Sequence, residues 1–417
     1  MHALPEQDDE ELASLAVVLP LALAGFVVAA GCWTLFAVAG VHVKAQLALS
    51  SVQFGVLLAA PMAVSALLAI PAGLCARRFG ARAVMLFCLT GLALCMALLL
   101  VANSYPAHLI VAAGLGLAGG FYSAGLHYVT SHCRQRLGLV LGIFGAGVTG
   151  AAFNYYLVPL FHEAYSWQGV PLAYLTVLLL VIALVLLLTD ARQYGAGEGA
   201  RSTGRPVSEL LRNGRSLPLC LYFGVVAGSF FALALWLPDF LSAQFGLQLG
   251  AGARMAQWFV IPGALAQIAG GALSDRLGST PVTALALIAS LVALFVLSYP
   301  PMTLHIRGVE GDIVVNFALP VILERGLVIL LGVALGCAMG SLQREVILAN
   351  RAEASLFAGL LLVSACSVAF LLPVAFGAIN QWLGIRTAVF MLLFGLLGLC
   401  LLMFAVGARH RVYQYLS

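Results

Sequence analysis

Long apolar segments alternate with short polar ones along the whole chain. Each apolar segment holds about 20 residues, the length that an α-helix needs to cross the hydrocarbon core of a bilayer. The pattern therefore predicts an all-α membrane protein with twelve transmembrane helices. The predicted spans cover residues 15–39, 51–73, 83–102, 107–128, 137–160, 169–189, 217–241, 254–273, 281–299, 321–343, 355–377 and 386–407.

The second and eighth predicted spans end in the same glycine-bounded, charged pattern. The two copies consist of Gly73, Arg77, Arg78 and Gly80, and of Gly271, Asp275, Arg276 and Gly278. Glycine permits close helix contacts and tight turns, and charged side chains interact favourably with neighbouring helix ends. Because the copies lie almost half a chain apart, we predict two pseudo-symmetric six-helix halves, as in secondary transporters. We expect these residues to form gating loops.

The chain is predicted to consist of five segments. Residues 190–216 are rich in Gly, Ser and Arg, unlike the apolar sequence on either side, and are predicted to be a linker. The predicted segments are an N-terminal tail at 1–14, a first half at 15–189, the linker at 190–216, a second half at 217–407 and a C-terminal tail at 408–417.

Composition and charge place the protein in a membrane and orient it there. Hydrophobic residues make up 63% of 417 positions and charged residues 9%, whereas a soluble domain carries roughly 25% charged residues. Most of the 20 basic residues fall on the side of the predicted termini. The positive-inside rule then predicts that both termini are cytoplasmic, in the inner or plasma membrane of the cell. This bias accounts for the net charge of +4 without a nucleic-acid partner.

The chain lacks the common sequence motifs of catalysis and of cofactor binding. The chain has no Walker loop, HExxH pair or nucleophile elbow, so we predict neither an enzyme nor a bound cofactor. The nine cysteines lack a close-spaced metal pattern and are interpreted as packing residues, with no metal site. We expect a monomer whose partners are the lipid bilayer and a small solute.

Polar residues inside the spans are the candidates for solute binding. No charged residue falls in the middle of a predicted span, and His127 is the candidate proton site. Gln267 lies four residues before Gly271, roughly 12 Å inside the membrane edge when counted from Asp275. Ala69 holds the related position before Gly73. We therefore predict that Gln267 hydrogen-bonds the solute.

Several segments resemble those of a known transporter family. The glycine hairpins resemble the loop motif of the major facilitator superfamily, although Arg77 stands where that motif usually has aspartate. More narrowly, the chain is similar to the nitrate/nitrite porter branch. The similar segments are Cys32–Phe36, Gln53–Gly55, Leu141–Gly147, Ala232–Pro238, Tyr299–Pro301 and Leu372–Gly377.

The resemblance implies twelve helices, alternating access and one central site between the halves. Family members hold the anion with one arginine from span 2 and one from span 8, which correspond to Ala69 and Gln267 here. The span-5 motif has Val148 where an asparagine is usual, directly after Gly147. We expect the site to be completed by apolar walls from Trp33 and Phe144.

The leading hypothesis is a secondary active or facilitative transporter of a small polar solute, with a nitrate- or nitrite-like anion as cargo by family resemblance. A neutral or different small solute is the chemical alternative, because both arginines are absent. A transport-inactive membrane sensor or assembly factor is a second alternative. Copper-type soft-metal transport, suggested by Cys32, Cys337, Met339 and Cys366, is a minor one.

Overall fold

The computed structural model describes residues 5–133, 136–165, 167–189, 216–300, 302–307, 312–317 and 319–416. Within them, twelve helices are long and apolar enough to cross a membrane, which confirms the predicted fold class. We number them spans 1 to 12: Ala16–Gln46, Ser51–Phe79, Ala81–Leu99, Tyr105–Ser131, Leu137–Phe161, Gly169–Leu188, Ser216–Phe245, Gly250–Leu277, Ser279–Leu297, Val321–Ala349, Ala354–Leu383 and Ala388–Gly407.

Three spans of the first half are broken near their middle. Span 1 consists of the helices Pro5–Trp33 and Phe36–Gln46, and span 4 of Tyr105–Gly114 and Leu117–Ser131. Span 5 changes from the helix Leu137–Gly145 to a 3-10 turn, Ala146–Thr149, and then to the helix Gly150–Tyr165. Mid-helix 3-10 geometry is common at functional hinges.

Several boundaries differ from the predicted ones. The helix of span 8 runs from Leu249 to Leu277, so Arg254, expected at its start, lies one turn inside it. Span 10 continues to Ala349, six residues beyond its predicted end at 343, and carries Arg344 on its last two turns. The helix of span 1 begins at Pro5 and that of span 12 ends at Leu416, so both predicted tails are largely helical.

The two glycine hairpins adopt the same backbone conformation. A single residue, Gly80 or Gly278, separates spans 2 and 3 and spans 8 and 9, with φ of 89° and 84° respectively. Because residues with a Cβ rarely adopt this region, glycine is required at both turns. With twelve spans the two chain ends lie on one side of the membrane, and both hairpins lie there too. We call this side the terminal face and the other the opposite face.

A β-hairpin that the sequence analysis did not predict lies between spans 9 and 10. Strand β1, Met302–Arg307, pairs antiparallel with strand β2, Asp312–Phe317, in the register Met302 with Phe317 and Arg307 with Asp312. Polar residues alternate with apolar ones at 303–307, which is the sequence signature of a strand. Because the hairpin lies outside the spans, it leaves the helical membrane fold unchanged.

The predicted linker at 190–216 falls outside the described residues except for Ser216, and the division into halves stays a prediction. The packing of the spans is nevertheless clear. Spans 1 to 6 meet spans 7 to 12 chiefly where span 2 packs on span 11 and where span 5 packs on span 8. We call these contacts the 2–11 seam and the 5–8 seam.

We predict that Gly55→Val destabilises the protein by about 1–3 kcal/mol, because its side chain would meet the Pro373 carbonyl in the 2–11 seam. Thermal unfolding of the detergent-purified protein measures the effect as a lower Tm. Gly395→Val is the matched control, since a Cβ at Gly395 in span 12 would have no atom of the described residues within 4 Å. An equal loss of Tm in both variants would contradict close packing at the seam.

Candidate functional site

The 2–11 seam is closed from one face of the bundle to the other. Near the opposite face, a Cβ on Gly55 would meet the Pro373 carbonyl oxygen. In the middle, a Cβ on Gly359 would lie 3.0 Å from the carbonyl oxygen of Ala69. Near the terminal face, a Cβ on Gly73 would lie 2.7 Å from that of Ser355. Since side chains are excluded at three levels, the two spans touch backbone to backbone along their length.

The 5–8 seam is built in the same way. Gly138 and Gly271 face each other so closely that a Cβ on either would collide with the other's backbone. One turn further into the membrane, a Cβ on Gly142 would lie 2.8 Å from the Gln267 carbonyl oxygen. The described contacts at both seams therefore correspond to an occluded arrangement, in which the halves meet on both sides of the centre.

A chain of three neutral polar side chains joins the two halves near the centre. The Gln267 amide nitrogen Nε2 donates to Gln343 Oε1 at 3.3 Å, and Gln343 Nε2 donates to the Tyr122 hydroxyl at 3.0 Å. All three side chains are buried. Because Tyr122 belongs to span 4 and the two glutamines to spans 8 and 10, this amide–phenol chain crosses the boundary between the halves.

The Gln267 amide oxygen is the unpaired end of that chain. Among the described residues, Oε1 is buried without any hydrogen-bond partner. The whole amide group lies against Gly145 of span 5, where a Cβ would meet Nε2 first and would lie 2.6 Å from the amide carbon and 2.9 Å from Oε1. An unpaired buried acceptor costs roughly 1–3 kcal/mol, so a group that donates a hydrogen here would stabilise the protein.

The sequence analysis selected Gln267 but not Gln343 or Tyr122. Gln343 stood at the last position of its predicted span, and only the longer helix of the structure, Val321–Ala349, places it inside the membrane segment. Tyr122 was not recognisable, because tyrosines are also common in packed helix interfaces and at membrane surfaces. Only the fold brings the three side chains together.

Aromatic rings form a wall beside the amide–phenol chain. The ring centroid of Phe26 lies 5.1 Å from that of Tyr122 and 5.2 Å from that of Phe144, and Tyr122 and Phe144 are 5.6 Å apart. Gly147 lies against Phe26, in the 3-10 turn of span 5, and Val148 beside it is buried. Phe144 thus lies next to Tyr122, the last member of the amide–phenol chain, and its role as an apolar wall of the binding site stays a prediction.

Trp33 and Ala69 lie apart from this wall. Trp33 is seven residues from Phe26, roughly 10 Å along span 1 toward the opposite face. Its ring packs on Phe231 of span 7 at 4.9 Å, and its buried indole N–H has no acceptor among the described residues. Ala69 is buried in the 2–11 seam, whereas Gln267 lies in the 5–8 seam. The predicted binding residues therefore occupy two levels and two seams.

Charged residues join the halves at the terminal face. Arg77 Nη1 lies 2.8 Å from Glu353 Oε2, directly before the first residue of span 11. Asp275 accepts from the backbone N–H groups of Gly138 and Leu139 at 3.2 and 3.1 Å, at the start of span 5. Arg344 Nε donates to the same carboxylate at 2.6 Å. We call these contacts the terminal-face latch.

Other predicted gating residues lie outside this latch. Arg78 and Arg276 are exposed, and the Arg78 guanidinium lies 5.3 Å from the Phe79 ring centroid. We expected Arg78 and Arg276 in the gate, but the residues that pair with Arg77 and Asp275 are Glu353 and Arg344. The candidate proton site, His127, is partly buried in span 4, near Arg77. Its role stays a prediction.

An ion pair that the sequence did not predict joins the halves at the opposite face. Lys44 Nζ of span 1 lies 3.0 Å from Asp239 Oδ1 of span 7, and 4.7 Å from the centroid of the Phe54 ring. Both side chains are mostly buried. The structure thus carries cross-half ion pairs on both faces, with the amide–phenol chain between them.

The described residues contain no cluster of three or more His, Cys, Asp or Glu side chains that could hold a metal ion. None of the nine cysteines, all of which lie among the described residues, is joined in a disulfide, and seven of them are buried.

Comparison with known proteins identifies the family. The sequence profile of the Major Facilitator Superfamily matches residues 21–349. The chain belongs to this superfamily of transporters. A probable nitrate/nitrite antiporter, NarK1 of Thermus thermophilus, is 28% identical over 407 residues, which cover 94% of this chain and 91% of the relative. The nitrite extrusion protein of Bacillus subtilis is 27% identical over 283 residues, 67% of this chain and 69% of the relative.

Solved structures agree on the fold. A crystal structure of a mutant of the nucleoside transporter NupG superposes with a TM-score of 0.67, covering 94% of this chain and 99% of the transporter. The sequence identity is 12%, so this likeness extends to the major facilitator fold alone. The chain is thus a multi-pass membrane protein of that fold.

We predict that Arg77→Gln loosens the terminal-face latch of this major facilitator protein. A cysteine introduced at Ser355, which is buried against Gly73, should react with a membrane-impermeant maleimide roughly two- to fivefold faster, because the ion pair with Glu353 is lost.

The variant with only Ser355→Cys gives the baseline rate, and Arg78→Gln removes the same charge from an exposed neighbour. Equal acceleration by Arg78→Gln would show that overall charge, and not the ion pair with Glu353, controls access to the seam.

Proposed function

We propose that this protein is a secondary active or facilitative transporter of a small polar solute, and that its cargo belongs to the nitrate/nitrite class. The cargo class rests on kinship with relatives that are named nitrate/nitrite transporters and match over most of the chain. The observation that carries the site is the unpaired Gln267 Oε1, buried where spans 5 and 8 meet. The cargo would bind between these spans, with Gln343, Tyr122, Phe144 and Gly147 around it.

Transport would proceed by rocking the halves about this centre. Opening the terminal-face latch while the Lys44–Asp239 pair holds exposes the centre to one side, and the reverse exposes it to the other. Such alternating access requires that each face can open on its own. The basic bias of the sequence supports assigning the terminal face to the cytoplasm.

A neutral solute is the second candidate cargo, and a specific observation favours it. The side chains joined at the centre are two amides and a phenol, and Ala69 and Gln267 occupy the positions that arginines hold in the resembled family. A charge-assisted hydrogen bond contributes roughly 1.5–3 kcal/mol, so a site without one holds an anion less firmly.

Counterflow in proteoliposomes tests the proposed function. Vesicles preloaded with unlabelled nitrite should accumulate labelled nitrite transiently, and vesicles preloaded with buffer alone should not; nitrate is tested in the same way. Gln267→Ala should lower the initial rate by about tenfold, since it removes the central polar contact. Absence of protein-dependent counterflow with either ion would exclude this cargo class and leave a neutral solute or a transport-inactive role.

We further expect Gln267→Arg to raise the apparent affinity for nitrate by about tenfold or more, because it supplies a charge-assisted hydrogen bond at the centre. The concentration dependence of nitrate uptake measures this, with Gln267→Leu as the uncharged control. If both variants bind nitrate equally weakly, the anion site lies elsewhere.

A further inference from the structure

We propose that the amide–phenol chain of Gln267, Gln343 and Tyr122 selects a cargo that is neutral and carries both a hydrogen-bond donor and an acceptor. Within the nitrate/nitrite class, that cargo is undissociated nitrous acid and not nitrate. The inference rests on the proposed function, since it names the form in which a cargo of that class is carried.

The first step is the direction of the chain. Gln267 Nε2 is committed to Gln343, and Gln343 Nε2 is committed to Tyr122. The groups of the chain that stay free are the Gln267 carbonyl oxygen, which can only accept, and several hydrogens, which can only be donated: the second hydrogen of each amide nitrogen and the hydrogen of the Tyr122 hydroxyl. A partner that pairs the oxygen as well as one of these hydrogens must both donate and accept.

The second step is charge. An anion next to the Gln267 carbonyl would be repelled by the partial negative charge of its oxygen. The amide nitrogen would face the anion only if the side-chain amides of Gln267 and Gln343 both rotated by 180°. On span 8, the next ionisable side chain toward the terminal face is Asp275, eight residues and roughly 12 Å away. Its charge is already compensated by Arg344 and by the start of span 5. Arg344 follows Gln343 in sequence, but its guanidinium is directed to Asp275 and Ser279.

The third step is space. The amide of Gln267 rests on the bare backbone of Gly145, and any side chain there would displace it. Because Gly145 has no side chain, nothing from this position fills the space next to Oε1 when spans 5 and 8 separate, and a small molecule can enter there. The wall of Phe26, Phe144 and the Tyr122 ring is apolar, which favours an uncharged molecule over an ion that must shed its hydration.

Nitrous acid meets these requirements and nitrate does not. Its O–H donates to Gln267 Oε1, and its remaining oxygen accepts from the Tyr122 hydroxyl. Nitrate, the anion of a strong acid, has no hydrogen to donate. Nitrite takes up one proton from water on one side and releases it on the other, so each nitrite moves with one proton and no net charge. No ionisable side chain of the protein needs to carry that proton.

The experiment uses proteoliposomes of the full chain that contain a pH-sensitive dye, with the membrane potential set by potassium and valinomycin. Protein-free liposomes of the same lipids give the background, because nitrous acid also crosses bilayers unaided. We expect protein-dependent nitrite entry that acidifies the lumen, is independent of potential and rises roughly tenfold for each unit decrease in external pH. Nitrate should give no such entry.

Variants test the residues. Tyr122→Phe removes only the hydroxyl and should lower the protein-dependent nitrite rate by about fivefold or more. Tyr156→Phe, on an exposed tyrosine of span 5, is the matched control and should keep the rate. If Tyr122→Phe keeps the wild-type rate, the phenol is not part of the recognition site.

Two outcomes distinguish this inference from the proposed function. If nitrate enters as fast as nitrite, or if entry follows the membrane potential without lumen acidification, the cargo is an anion and this inference is wrong, while the proposed function stands. If neither ion shows protein-dependent movement at any pH or potential, the proposed function itself fails.

Discussion

Direct backbone contact between spans of opposite halves is the constraint on which the remaining features depend. At both seams several glycines each face a backbone carbonyl of the partner span, so at these positions the helices touch without intervening side chains. This closeness brings the side chains of Gln267, Gln343 and Tyr122 within hydrogen-bonding distance of one another. It also brings helix ends near enough for the latch residues to bridge the halves. The seams thus position both the chemistry and the gates.

The two hairpins satisfy one electrostatic requirement in opposite ways. A helix N-terminus carries a partial positive charge, so a carboxylate next to it is favourable. Asp275 meets the start of span 5 directly through two backbone N–H groups. At the start of span 11 the carboxylate is Glu353, which directly precedes that helix. The first hairpin therefore carries a cation, Arg77, where the second hairpin carries Asp275, and Arg77 pairs with Glu353. Arginine in place of the usual aspartate is therefore compensated, not a defect of the hairpin.

Hydropathy and spacing were sufficient for the architecture but not for the site. Apolar segments of membrane-spanning length predict the twelve spans, and the repeated glycines predict the two equivalent turns at Gly80 and Gly278, because both signals are local in sequence. Gln267 could be selected for its polarity and depth. The partnership with Tyr122, far away in sequence, and the Lys44–Asp239 pair depend on how the halves meet. The β-hairpin at 302–317 was not predicted, because its strands have six residues each and a search for segments of about 20 apolar residues does not detect them.

The unpaired Gln267 oxygen has an energetic consequence for a carrier. In the closed arrangement without cargo this acceptor is buried and unsatisfied, at a cost of roughly 1–3 kcal/mol. When the halves separate, water can reach the oxygen and the cost disappears. A bound donor removes the same cost while the protein stays closed, because it replaces the lost water. Relative to the empty carrier, the closed state with cargo is thus favoured by about 5- to 150-fold, a bias that opposes passage of the empty carrier through the occluded arrangement.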